Sequence, residues 1–166
     1  IPMGAVFVSR TIHQGLMQGP QNQIELFHGY TYSGHPAACA AGIATLDIYQ
    51  EEQLLTRASG IQQLWHDALH SLKGYPNVID IRTIGLIAGV ELAARENAPG
   101  SRGYDLFVEC LEKGLLVRVT GDIIALSPPL IIEKGEIEKI ASILVDALLQ
   151  AVSTGFVALQ MMANRS

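Results

Sequence analysis

Two pairs of short strand-like runs, each pair joined by a glycine-containing turn, constrain the fold of this chain more than any other feature. Val78 to Arg82 sets Val78, Asp80 and Arg82 against Ile79, Ile81 and Thr83, and Ile87 to Leu92 follows just after Gly85. Period-two runs joined by so short a connection predict paired strands. Leu115 to Val119 and Ile123 to Leu126 are apolar runs around Thr120-Gly121-Asp122, which reads as a hairpin turn, and Ser127-Pro128-Pro129 ends the second. Between the two pairs, Tyr104 to Lys113 reads as a helix closed by Gly114, a residue suited to the left-handed position past a helix end.

Helical period flanks this unit. Leu54, Ala58, Ile61, Trp65, Ala68 and Leu72 step by three and four until Gly74-Tyr75-Pro76, which predicts an amphipathic helix. Ile137, Ile140, Ala141, Leu144, Val145 and Leu148 do the same after the acidic and polar opening Glu133 to Glu138. The order describes an α+β unit in which a small antiparallel sheet is covered on one face. Upstream, Ala5 to Val8 suits a buried strand, residues 18–33 a long loop, and Ala37 to Tyr49 after Pro36 a small-residue helix packed closely against a neighbour. Residues 153–166 show no clear period and read as a frayed, disordered tail.

Composition narrows the functions open to the chain. With 166 residues, 49% of them hydrophobic, there is apolar material for one core and too little length for two full domains. The formal net charge is −5 and the eleven Lys and Arg are scattered, so no basic stripe addresses a nucleic acid. No apolar run approaches the roughly 20 residues that cross a bilayer. The expected location is cytoplasmic. Cys39 and Cys110 stand apart without metal spacing, which leaves them as small buried hydrophobes. No Ser-His-Asp spacing, GxSxG, P-loop or GxGxxG is present.

Two segments stand out for their chemistry. Phe27-His28-Gly29-Tyr30-Thr31-Tyr32-Ser33-Gly34-His35-Pro36 gathers hydroxyls, glycines and aromatics just before a helix start, an arrangement that suits an anion or, equally, a structured turn. His28 and His35 lack an acidic or cysteine partner nearby, so no metal is expected. Arg118 sits in an otherwise apolar strand beside a tight turn, where it either turns to water or grips a carboxylate. Arg82 and Arg10 are weaker cases of the same kind. Glu91 is a partner open to either strand arginine, and Asp122 reads as a turn former rather than a catalytic acid. Lys73, Lys113, Lys134 and Lys139 all read as solvated surface residues, leaving no candidate for a covalent nucleophile.

HGYTYSGHPAACAAGIATLDIYQEE and VRVTGDIIALSPPLII together resemble class III, fold-type I aminotransferases, most closely the ω-amino acid:pyruvate (β-alanine:pyruvate) branch, and the likeness runs from Ile1 to about Val152. The resemblance implies pyridoxal 5′-phosphate as cofactor, with an amino donor and pyruvate as small-molecule substrates in a homodimer or tetramer. It further implies that residues 1–50 end the large cofactor-binding domain and that 51–152 form the C-terminal small domain. Thr31 matches a threonine that donates to the cofactor phosphate across a dimer interface, Tyr30 an aromatic of the same pocket, and Arg118 the arginine that binds the substrate α-carboxylate. The Schiff-base lysine of the family matches a position before IPMGAV, so no catalytic residue is expected within this chain and it is expected to be inactive alone. STGFVALQMMANRS departs from the family's ending. Two alternatives stay open, a related decarboxylase or aminomutase and a non-catalytic module or assembly fragment.

Overall fold

The computed structural model describes residues 1–22, 26 and 31–163, with 152–163 described by their backbone. It divides into two units, Ile1–Glu52 and Gln53–Ser166.

The first unit holds two helices, α1 (Arg10–Leu16) and α2 (Pro36–Glu51). The strand expected at Ala5 to Val8 does not form. Its backbone has no partner strand among the described residues, and the side chains of Val6 and Phe7 stand 91% and 94% exposed, so neither ladder bonds nor burial support it. Helix α1 was not foreseen; Ser9 opens it by accepting from the Ile12 amide at 3.3 Å. Helix α2 starts at Pro36, where the missing N–H costs nothing. Its close packing is confined to a few small residues. Ala38, Cys39, Ala41 and Gly42 are half-buried, and a Cβ added at Gly42 would lie 2.9 Å from the Met3 sulfur. Ile43 and Leu46 on the same helix are exposed.

The second unit is the expected α+β arrangement. Helix α3 (Leu54–His70) precedes strands β1 (Val78–Ile84) and β2 (Ile87–Leu92); α4 (Ser101–Glu112), β3 (Arg118–Thr120), β4 (Ile123–Leu126) and α5 (Lys134–Ala163) complete it. The sheet is antiparallel in the order β1-β2-β4-β3, which leaves β1 and β3 at its edges. Ala88, Val90, Leu92, Ile124 and Leu126 point to one face and are buried with Trp65, Leu69, Leu106, Ile137 and Leu144 of the covering helices. Trp65 is fully buried, and its indole N–H has no partner among the described residues.

Strand β3 begins three residues later than the apolar run suggests. The reason is the end of α4: Gly114 adopts a φ of 82°, its amide donates to Leu111 O, and the Leu115 amide donates to Cys110 O at 2.8 Å. This Schellman closure uses up Leu115 before pairing can start. Helix α5 opens with the Glu136 carboxylate accepting from the Glu133 amide at 2.8 Å. It then runs on through Ala163, where the sequence suggested a tail. The run from Ser153 contains helix formers and no proline, and Gly155 alone does not break it.

Candidate functional site

In the first unit, His35 sits just outside α2 and its Nδ1 accepts from the Ala38 amide at 3.4 Å, so an imidazole caps the helix. The preceding residues turn tightly, with Gly34 at a φ of 69° that strains any side chain. This turn brings Thr31 and Ser33 to the wall of a cavity of about 430 Å³ completed by Met3, Gly4, Ala38 and Cys39. Two hydroxyls beside a helix start form a lining suited to anion oxygens. Tyr30, with Phe27, His28 and Gly29, lies outside the described residues. His35 acts here as a helix cap, and among the described residues no group of three or more His, Cys, Asp or Glu is placed to hold a metal.

In the second unit, Arg118 opens edge strand β3 and is exposed. It pairs in register with Ala125, which faces Gly89, which faces Arg82, so these four side-chain positions form one row across the uncovered face of the sheet. Arg82 Nη1 is shared by two carboxylates, 2.8 Å from Asp80 and 2.7 Å from Glu91. Glu91 thus chooses Arg82. The other arginines of this unit described with their side chains are also engaged: Arg57 donates to Leu130 O, Arg95 to Asp105, and Arg102 to Ala93 O. Arg118 alone among them has no acceptor in the described residues.

Asp122 occupies the second position of the two-residue β3–β4 turn, after Gly121 at a φ of 58°. Its carboxylate does more than form a turn. Oδ2 accepts from the Gly100 amide at 2.6 Å and Oδ1 from the Gly103 amide at 2.9 Å. Partial burial works to raise its pKa. The backbone amides of Gly100, Gly103 and Arg102, with the Arg102 charge, outweigh that and hold it below the ordinary carboxylate value. Sequence reasoning missed this role because the partners lie about twenty residues away.

All four lysines belong to the second unit. Lys73, Lys134 and Lys139 are exposed, and Lys113 Nζ donates to the side-chain Oε1 of Gln150 at 3.2 Å. None lines the cavity beside Thr31.

Comparison with known proteins agrees with a class of transferase. Residues 1–148 match the Aminotransferase class-III family, and the chain belongs to that family. It is 54% identical to an omega-aminotransferase of Caulobacter vibrioides over 139 residues, 84% of this chain and 32% of that protein. It is 35% identical to a beta-alanine–pyruvate aminotransferase of Pseudomonas aeruginosa over 150 residues, 89% of this chain and 34% of that protein. Among solved structures, a transaminase with L-alanine superposes with a TM-score of 0.73 at 32% identity, covering 78% of this chain and 32% of that one. The chain therefore spans about a third of the length of the curated relatives it matches. Enzymes of this family depend on pyridoxal 5′-phosphate.

Proposed function

We propose that this chain is the C-terminal part of an ω-amino acid:pyruvate transaminase, and that Arg118 receives the α-carboxylate of the amino acceptor. The observation that carries the reading is the state of Arg118, an exposed guanidinium on a sheet edge without an acceptor in a unit whose other described arginines are engaged. A planar fork left open in this way suits a bidentate carboxylate. The names of the Caulobacter and Pseudomonas relatives support the ω-amino donor and the pyruvate acceptor.

The residues of the chain fit one part of the cofactor. Thr31 and Ser33 offer hydroxyls for its phosphate, and Tyr30 joins them in the reading taken from the family resemblance. We place this contact on the cofactor of a neighbouring subunit in a homodimer. The cofactor supplies the electron sink for amino transfer when bound. The covalent attachment has no candidate here, because none of the four lysines lines the cavity beside Thr31. The isolated chain is accordingly read as inactive.

Two assays test this. Joining residues 1–148 into the Caulobacter relative in place of its matching part is expected to give a subunit that forms alanine from pyruvate and an ω-amine. A subunit that binds cofactor, seen by its visible absorbance, yet transfers no amine to pyruvate would overturn the reading. The isolated chain with cofactor, β-alanine and pyruvate is expected to yield no alanine above a heat-killed control.

A further inference from the structure

Strand β3 has little to hold it in place. It is three residues long, lies at the sheet edge and pairs with β4 alone, and a short hairpin by itself is marginal in water. Arg118 opens this strand, and since the β4 side of the hairpin is held by β2, where its guanidinium is presented depends on how the hairpin tip is held. Helix α4 has the complementary deficiency. Its N-cap is Gly100, in a left-handed conformation and without a side chain to accept from the first amides, and those amides need an acceptor.

Asp122 meets both needs at once. Its two carboxylate oxygens take the Gly100 and Gly103 amides, while its backbone carbonyl accepts from the Leu92 amide at 2.9 Å. The turn that carries it lies directly on α4: a Cβ at Gly103 would collide with the Gly121 carbonyl oxygen and come within 2.9 Å of Asp122 Cα and of Val119 Cγ2. A second tie, from Arg102 Nε to Ala93 O at 2.6 Å, fixes the same helix turn to the end of β2. Helix start, central strand and hairpin tip are thereby joined four residues from Arg118.

We propose that Asp122 is a positioning residue, which grips the first turn of α4 and so sets where Arg118 presents its guanidinium to a carboxylate substrate. The inference rests on the reading of Arg118 given above. A negative charge at a helix start is favourable in its own right, and the lowered pKa of Asp122 agrees with a carboxylate held by amides.

The test has two independent readouts on Asp122→Ala and Asp122→Asn. Amide hydrogen exchange of the full chain is expected to show Gly100, Gly103 and the β3–β4 amides exchanging about tenfold faster in Asp122→Ala, with a smaller change in Asp122→Asn. In the joined subunit, KM for pyruvate is expected to rise about tenfold or more, while KM for an amine donor lacking a carboxylate stays within about twofold. Unchanged exchange in the hairpin overturns the proposal. So does a loosened hairpin with KM unchanged, or with both KM values raised alike. A joined subunit of unaltered sequence that transfers no amine to pyruvate counts against the transaminase reading instead, and the exchange data then decide the Asp122 anchor by themselves.

Discussion

Arg82 and Arg118 stand at opposite edges of one row across the sheet, with only Gly89 and Ala125 between them, and they differ in what holds them. Two carboxylates fix Arg82, whereas Arg118 reaches solvent. Removing each therefore has a different consequence. Arg118→Gln is expected to leave the unfolding free energy of the chain, from urea titration, unchanged within about 0.5 kcal/mol, as for other exposed positions. In the joined subunit it is expected to raise KM for pyruvate about tenfold to a hundredfold, the loss of about 1.5–3 kcal/mol for a charged hydrogen-bonded pair. Steady-state kinetics with pyruvate as the varied substrate checks this.

Gly103→Ala places a methyl group against backbone that cannot swing aside, the Gly121 carbonyl and Asp122 Cα. The hairpin must shift off α4, at a cost of about 1–3 kcal/mol. Urea unfolding followed by circular dichroism would show a lower midpoint. A variant as stable as the parent would mean that the two segments do not touch.

Acid should loosen the same junction. The pKa of Asp122 in the folded chain lies below its ordinary value of 3.8, so its contribution is complete above that value and is lost as pH falls through the lower folded value. Urea midpoints taken from about pH 6 down to about pH 2.5 are expected to fall more steeply for the parent than for Asp122→Asn, the gap between them closing at the acid end. A constant gap would assign the difference to shape rather than charge.

The two cysteines should part company in their chemistry. Burial, with the neighbouring Glu109 charge, pushes the Cys110 thiol up to about 11, so it stays protonated and hidden in neutral solution. Cys39 borders the cavity beside Thr31 and is only half-buried. Iodoacetamide at about pH 8 is expected to add one group to the native chain, at Cys39, and a second only in denaturant. Peptide mass mapping distinguishes the sites.

Much of the second unit was legible in the sequence because its signals are local. The three-and-four steps at Leu54 and Ile137, the alternation at Val78, the apolar run at Ile123, and Gly114 past α4 each act within a few residues. What stayed hidden depends on distant partners. Nothing near Asp122 announces the amides of Gly100 and Gly103, and nothing near Glu91 says that it takes Arg82 and leaves Arg118 open. Ala5 to Val8 shows the converse. Its residues favour a strand, but a strand needs a neighbour to bond, and propensity cannot provide one. Arg118 stands out in the sequence by its oddity in an apolar run and by the family motif, while its lack of an acceptor is a property of the fold. Tyr30 lies outside the described residues and rests on the resemblance alone.

Trp65 is the one tryptophan of the chain, and it lies fully enclosed in the core beneath the sheet. The molecule thus carries a single built-in optical label. Its ultraviolet emission reports whether α3 is seated on the strands, in a dry setting and then in a wet one. A melting curve recorded at that colour follows the second unit, and the Ile1–Glu52 unit, which has no tryptophan, contributes no signal of this kind to it.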